Sequence, residues 1–130
     1  MKRNTLMMTL AVVTGLLGTA ASAGYRYTTE VVIDTANRHA KGSLADARAS
    51  ADNLQFIGCS TRTSSGGVYV SCSAQDANGV SVTCTSSNSS FVQVVAALAS
   101  DSTLYMEWDS SGNCTSLTAD NYSNNTPKQP

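Results

Sequence analysis

Four cysteines constrain this chain more than any other feature of its sequence. They are Cys59, Cys72, Cys84 and Cys114, and no two of them form a Cys-x-x-Cys pair. An even number of cysteines in an exported chain predicts disulfides, because oxidising compartments let these bonds form and persist. Zinc is the competing interpretation, but His39 is the single histidine and the cysteine spacings do not match those of zinc sites. The sequence therefore predicts two disulfides.

The N-terminus predicts export. Lys2 and Arg3 precede an apolar run from Leu6 to Leu17, and Ala21-Ser22-Ala23 offers a cleavage site. The run is shorter than the about 20 apolar residues that cross a bilayer, and no second such run follows it in the sequence. We expect residues 1–23 to be a signal peptide of bacterial type. The mature protein is then periplasmic or extracellular and does not span a membrane.

Length and composition point to one domain. The chain has 130 residues, of which 42% are hydrophobic and only 13% are charged. Without Lys2 and Arg3, six basic residues stand against nine acidic residues, which disfavours a basic surface for nucleic acid. We expect a single disulfide-stabilised domain over residues 24–120. The remaining residues, 121–130, are predicted to form a polar, flexible tail.

The hydrophobic pattern predicts an α+β fold. Alternating apolar and β-branched residues indicate strands at residues 25–33, 37–41, 55–63, 68–74, 80–85, 103–108 and 113–118. The third to fifth strands are expected to form an antiparallel meander, and the last two a C-terminal hairpin. One main helix and one short helix are expected to pack on this antiparallel sheet.

Both helices have clear start signals. Ser43 offers an N-cap with Asp46 three residues later, which predicts a short helix from residue 44 to about residue 52. Asn88 and the serines after it offer caps for the main helix, which is expected to run to about Ser100. The apolar face of the main helix carries Phe91, Val94, Val95 and Leu98.

Two loops share one pattern that fixes the pairing of the strands around them. Asp76-Ala77-Asn78-Gly79 and Asp109-Ser110-Ser111-Gly112 both place Asp at the start of a type I turn and Gly at a left-handed position. Counting outward from the first three-residue loop sets Cys72 opposite Cys84. Any shift by one residue would turn one of the two strands away from the core.

In this register, one sheet face is expected to form the core beneath the main helix. The apolar residues and cysteines on it are Ile57, Cys59, Val68, Val70, Cys72, Val80, Val82, Cys84, Leu104, Met106, Trp108 and Cys114. The second loop sets Trp108 opposite Cys114. All four cysteines point into one core, so every pairing is sterically possible. The direct opposition of Cys72 and Cys84 favours that bridge and leaves Cys59 to pair with Cys114.

The opposite sheet face is unusually apolar. The residues that alternate with the core set include Phe56, Tyr69, Tyr105 and Leu117. Two interpretations stay open: the short alanine-rich helix covers part of this face, or the side chains form an exposed patch for a partner. These four residues are the candidate binding site.

Several short segments together resemble a family. They are Gly42-Ser43-Leu44, Ala47-Arg48, Ile57-Gly58-Cys59, Trp108-Asp109 and Gly112-Asn113-Cys114-Thr115. With the spaced cysteines, they resemble an uncharacterised family of short exported bacterial proteins over most of the mature chain. The resemblance implies export and a disulfide-linked domain, and it implies no activity, ligand or catalytic residue.

Patterns for catalysis and metal binding are weak. His39 lies in a polar stretch and no Gly-x-Ser-x-Gly elbow occurs, so a surface histidine is the simpler interpretation. Asp76 and Asn78 have the spacing of the first two EF-hand ligands, but Ser81 and Ser87 occupy the positions that need Gly and Glu. The sequence therefore predicts no catalytic residue, no metal and no cofactor.

The sequence favours a small, exported, non-enzymatic binding domain or a structural domain of the cell envelope. The expected partner is an unidentified protein or an envelope component. An inhibitor of a secreted hydrolase is the first alternative, and a rigid exposed loop at Ser60 to Gly67 is its expected mark. A small hydrolase that uses a serine with His39 is the second, and a cleft that joins His39 to a hydroxyl is its expected mark.

Overall fold

The computed structural model describes Tyr25 and residues 27–125, which form seven strands and two helices. In chain order they are β1 (Val32–Asp34), β2 (His39–Ser43), α1 (Leu44–Arg48), β3 (Phe56–Ser64), β4 (Gly67–Gln75), β5 (Ser81–Ser86), α2 (Ser89–Ala96), β6 (Thr103–Trp108) and β7 (Cys114–Asp120). The predicted signal peptide and residues 126–130 of the predicted tail lie outside the described residues. In the described part of the chain, neither helix has the length and apolar character needed to cross a membrane.

The predicted fold class is confirmed. The strands are antiparallel, one main helix and one short helix are present, and two disulfides link the chain. The meander and the C-terminal hairpin lie in two separate sheets, however, and do not share one face. A three-stranded sheet has the order β3-β4-β5, and a four-stranded sheet has the order β1-β2-β6-β7. The hairpin is separate because its first strand, β6, pairs with β2.

Both helices begin at the predicted caps. Ser43 Oγ accepts a hydrogen bond from the Asp46 backbone N–H at 3.2 Å, and Asn88 Oδ1 accepts one from that of Ser90 at 2.9 Å. Both helices end about four residues earlier than predicted, because polar side chains bind the backbone beyond them. The carboxylate of Asp52 accepts N–H groups of the next segment, and Ser102 Oγ accepts the N–H of Ala99.

The two predicted loops have the expected geometry. In each one the aspartate carboxylate accepts loop N–H groups and the glycine has a φ of 80°. The two residue pairs are Asp76 with Gly79 and Asp109 with Gly112. The register that follows sets Cys72 opposite Cys84 and Trp108 opposite Cys114, as predicted.

A bulge in the C-terminal hairpin changes which residues of β7 face the core. The register shifts between Glu107 and Trp108, which leaves Thr115 without an opposite residue. One extra residue reverses the alternation of side chains along the rest of the strand. Leu117 therefore lies opposite Met106 and is only 7% exposed. Its predicted place on the face opposite to the core is wrong for this reason.

The core lies between the inner faces of the two sheets, with α2 packed against it. Its fully buried apolar residues are Ala40, Val70, Cys72, Ala74, Cys84, Leu104 and Met106. Val68 and Val80 were expected there but are 45% and 40% exposed. Val68 lies beside the turn between β3 and β4, and Val80 precedes β5, so both are at strand ends beyond the core.

The two disulfides join Cys59 to Cys72 and Cys84 to Cys114. The predicted preference for Cys72–Cys84 and Cys59–Cys114 is therefore wrong. Cys72 has a cysteine directly opposite it on both neighbouring strands, Cys59 on β3 and Cys84 on β5. The register was predicted correctly, but it does not by itself decide between these two neighbours.

The type of strand pair explains the choice. The Asp76 N–H donates to the Val80 carbonyl at 3.0 Å, and alternation from that bond makes Cys72 and Cys84 a hydrogen-bonded pair. Cys59 and Cys72 form a pair of the other type, with Cα atoms 4.0 Å apart. Side chains approach more closely in pairs without hydrogen bonds, as a disulfide requires.

The two sheets approach each other closely at Gly42 of β2. A Cβ added to Gly42 would lie 2.9 Å from Val31 Cγ2 and 3.3 Å from Ile57 Cγ2. Gly58 of β3 is the opposite case, because a Cβ there would have no heavy atom within 4 Å. The first glycine is required by packing and the second is not.

We expect Gly42→Ala to lower the free energy of unfolding by about 1–3 kcal/mol, because the added methyl group overpacks the contact with Val31. Gly58→Ala is the matched control. It should leave the free energy of unfolding unchanged or raise it by up to about 1 kcal/mol, since alanine restricts the unfolded chain more than glycine does. Urea denaturation of both variants measures the difference. Equal stabilities for the two variants would contradict this account of the sheet contact.

Candidate binding site

The structure does not bring the four predicted binding residues together. Phe56 and Tyr69 lie on the outer face of the three-stranded sheet, Tyr105 lies on the outer face of the four-stranded sheet, and Leu117 is in the core. The short helix α1 turns its alanines toward the buried interior. The two outer faces are therefore separate surfaces.

The outer face of the three-stranded sheet consists mainly of small hydroxyl side chains, and we name it the hydroxyl face. Its members are Phe56, Gly58, Ser60 and Arg62 of β3, Tyr69, Ser71, Ser73 and Gln75 of β4, and Ser81, Thr83 and Thr85 of β5. All of them are half-buried or exposed. Arg62 is its single charged residue, so the face holds a positive charge and no carboxylate.

A shallow groove of about 290 Å³ crosses the hydroxyl face at Gly58. Phe56, which is 47% exposed, borders it at the start of β3. The missing side chain of Gly58 leaves open space above the backbone. The remaining side chains of the face that line the groove are Ser60, Arg62, Ser71 and Ser73. The groove thus combines an aromatic ring, a flat floor, three hydroxyls and one guanidinium.

Arg62 is turned toward this groove by a hydrogen bond. Its Nε donates to Ser60 Oγ at 3.2 Å. Within the described residues, the terminal amino groups of its guanidinium have no hydrogen-bond partner, so their donors point to solvent or to a ligand. On the neighbouring strand, Ser73 Oγ and Thr83 Oγ1 share a hydrogen bond of 2.8 Å. Hydrogen bonds therefore hold the polar side chains of the groove in place, while the terminal donors of Arg62 have no partner among the described residues.

A disulfide lies directly beneath the groove. Cys59 stands between Gly58 and Ser60 on β3, and Cys72, to which it is bonded, stands between two lining serines of β4. Side chains alternate along a strand, so the disulfide is on the inner side of the sheet and the groove on the outer side. The covalent bond fixes the spacing of the two strands that carry most of the lining.

Asp52 fixes the point at which the chain enters β3 and therefore the position of Phe56. Its carboxylate accepts hydrogen bonds from the backbone N–H of Leu54 at 2.7 Å and from Gln55 Nε2 at 2.6 Å. Gln55 Oε1 in turn accepts the N–H of Val31 at 2.8 Å. These bonds, above all that from the Gln55 side chain, lower the pKa of Asp52 from 3.8 to about 2.

The other outer face carries His39 and Tyr105. Their rings stack with centroids 5.8 Å apart, and the Tyr105 hydroxyl donates to Glu107, which raises the pKa of Tyr105. Strand pairing also sets His39 between Asp34 and Glu107. The sequence did not reveal these two flanking carboxylates, because pairing brings them from distant positions. His39 does not line the groove at Gly58.

A second groove, of about 410 Å³, lies where the two sheets meet. Arg38, Thr83, Trp108 and Asp109 are among its lining residues. Asn113 hydrogen bonds, assisted by the charge of Arg38, lower the pKa of Asp109. The Asp109 carboxylate is hydrogen-bonded within its own loop, and the charge of Arg38 interacts with that carboxylate. Both charged groups of this groove thus interact with the protein itself. The groove is therefore a weaker candidate for an external ligand than the groove at Gly58.

No protein-family model matches the chain, and neither a curated protein nor a solved structure matches it. The resemblance to an uncharacterised exported family therefore stays a prediction. Across residues 27–125, no three His, Cys, Asp or Glu side chains are grouped so that they could hold a metal ion.

We expect the Asp52 carboxyl to titrate with a midpoint near pH 2. Because this pKa is lowered in the folded protein, the stability that the carboxylate contributes is present at neutral pH and is lost as pH falls from about 4 to about 2. Gln55→Ala removes the side-chain hydrogen bond that lowers the pKa of Asp52 the most, so the midpoint should rise toward 3.8. Side-chain carboxyl ¹³C shifts measured against pH report both values.

Asp109 is the internal control for this titration. Its lowered pKa depends on Asn113, so its midpoint should not move in Gln55→Ala. A midpoint for Asp52 near 3.8 in the parent protein would show that the hydrogen bonds to Leu54 and Gln55 do not hold in solution.

Proposed function

We propose that the protein is an exported, non-enzymatic binding domain that works in the cell envelope or its surroundings, with the hydroxyl face as its recognition surface. Two disulfides support a location outside the cytoplasm, because such bonds persist in oxidising compartments. The predicted signal peptide supports the same location. The hydroxyl face supports binding because it groups an exposed ring, free donors and a groove on a rigid sheet.

Gly58 is the observation that carries the proposal. A glycine inside a strand weakens it, and such glycines occur at bulges, at bends, or where a ligand or another backbone approaches closely. Pairing between β3 and β4 continues through Gly58 without a shift in register, so no bulge requires it. No neighbouring atom requires it either, in contrast to Gly42. We take close approach of a bound ligand as the reason for a glycine at this position.

The corresponding experiment fills the groove without disturbing the core. Gly58→Val should fold at least as stably as the parent, since valine favours strands and its side chain enters open space. It should lose retention on washed envelope material from the cells that make the protein, as measured by co-sedimentation of the mature form. Thr118→Val, on an exposed strand position of the other sheet, is the matched control and should be retained. Equal retention of parent and Gly58→Val would refute the proposed surface.

The end of the β3–β4 hairpin supports a second candidate, an inhibitor of a secreted hydrolase. Residues 61–68 are all exposed, and the segment predicted as a loop is a paired hairpin with Ser64 opposite Gly67. The disulfide between Cys59 and Cys72 closes its base. A projecting hairpin that is covalently closed has little freedom to lose on binding, which favours tight association with a cleft.

A loop insertion separates the two candidates. Two glycines inserted between Ser65 and Gly66 alter the hairpin end but leave the groove at Gly58 intact. We expect this variant to bind envelope material like the parent, and we expect neither protein to reduce the activity of secreted hydrolases titrated with it. Inhibition by the parent that is lost on insertion and kept in Gly58→Val would favour the second candidate.

A further inference from the structure

We infer that the ligand of the hydroxyl face is an acidic saccharide, with a pyranose ring over Gly58 and against Phe56 and with a carboxylate held by Arg62. This inference depends on the proposed function, because it names the ligand class of the same surface. The shape of the groove favours a flat ring, its hydrogen-bonding side chains favour hydroxyl groups, and its charge favours an anion.

The shape of the groove suits a flat ring with apolar faces. Gly58 leaves a floor of bare backbone, and Phe56 lies two residues along the same strand, at about 7 Å. A pyranose presents C–H groups on its faces and hydroxyls at its rim. One face can therefore cover the floor while part of the ring packs on the exposed phenyl group, and the rim then points toward the serines.

The hydrogen-bonding capacity of the lining matches sugar hydroxyls. A serine hydroxyl has one donor and two acceptor positions, as a saccharide hydroxyl does. Ser60 already bonds to Arg62 Nε and to the Ser71 carbonyl, and Ser73 bonds to Thr83, but both keep acceptor capacity, and the Ser71 hydroxyl adds a donor. The groove opens on the outer face of β3 and β4, where side chains and not backbone groups project. An extended peptide needs unpaired backbone groups, and these lie along the free edge of β3, beside the groove and not within it.

The charge of the surface selects an anion. Arg62 is the single charged residue of the hydroxyl face, and Ser60 holds its guanidinium toward the groove. A guanidinium pairs with a carboxylate through two parallel hydrogen bonds, which gives direction as well as attraction. The whole chain has a formal net charge of -1, so net charge does not draw anions to the protein. The attraction is local to this groove.

The distance between these groups limits the ligand further. Ser60, which accepts the hydrogen bond from Arg62 Nε, is two residues from Gly58, so the guanidinium is anchored about 7 Å along the strand from the ring site. One sugar unit that bears its own carboxyl group, or two linked units, spans that distance. The chemistry that fits is a uronate or another carboxylate-bearing pyranose.

The test measures binding of two acidic saccharides to the mature protein by calorimetry. One is tetragalacturonate, and the other is peptidoglycan glycan strands whose peptides an amidase has removed, which leaves free lactyl carboxylates. The methyl ester of tetragalacturonate is the matched neutral probe. We expect an acidic probe to bind and the ester to bind at least about tenfold more weakly, as for the loss of one charge-assisted pair.

Variants assign the binding to the groove. Arg62→Gln should weaken binding of the acidic probe about tenfold and leave binding of the ester unchanged. Phe56→Ala should weaken both, and Gly58→Val should abolish both. Arg38→Gln removes the same charge at an exposed turn and should change neither.

Three results would overturn the inference. Equal binding of acid and ester, unaffected by Arg62→Gln, would remove the acidic part of the assignment. If neither acidic saccharide binds but Gly58→Val still loses its retention on envelope material, the ligand is not a saccharide and the proposed function stands. If neither saccharide binds and the parent and Gly58→Val are retained equally, both the saccharide ligand and the proposed function are rejected.

Discussion

The disulfide between Cys59 and Cys72 joins β3 to β4 in the middle of the three-stranded sheet, and the candidate site depends on it. Its loop separation of 13 residues corresponds to about 3 kcal/mol of stabilisation in the chain-entropy model, a large share of the stability of a small domain. The same bond sets the spacing of the serines above it. Stability and site geometry therefore come from one covalent link.

The second disulfide has a different role, because it connects the two sheets. Cys84 of β5 is bonded to Cys114 of β7, and the Thr85 N–H next to it donates to the Gly112 carbonyl at 3.0 Å. The three-stranded sheet is thus fixed to the four-stranded sheet at one edge. Its outer face remains open at the same time, since this link is made at the strand edge.

Turn chemistry made much of this fold predictable from sequence. Asp76 and Gly79 define a three-residue loop, which sets the register of the meander and places Cys72 opposite Cys84 correctly. The pairing of cysteines could not be predicted from the register alone, because it depends on whether a strand pair is hydrogen-bonded. The aspartate loop contains that information, since alternation from its closing hydrogen bond gives the type of every pair along the strands.

The place of Leu117 could not be predicted by simple alternation. Cys114 and Leu117 are three residues apart and both lie in the core, which a regular strand forbids and a bulge permits. The odd spacing of these two apolar residues was the sequence feature that indicated a bulge. Strand parity did set Phe56 and Tyr69 on the outer side of their sheet. The glycine inside the predicted strand, Gly58, was a signal for close approach of another group, but the neighbouring serines of β4 could be placed beside it only once the pairing of β3 with β4 was known.

The position of Gly58 beside Cys59 also has an energetic meaning. A glycine inside a strand costs about 0.5–1 kcal/mol relative to alanine, and an edge strand such as β3 has hydrogen bonds on one side only. Without a cross-link, the chain would be most prone to open locally at such a point. The adjacent disulfide contributes about 3 kcal/mol, several times the cost of the glycine. The strand can therefore lack a side chain at Gly58 and still stay paired with β4. A ligand can then contact the backbone at Gly58 without disrupting the sheet.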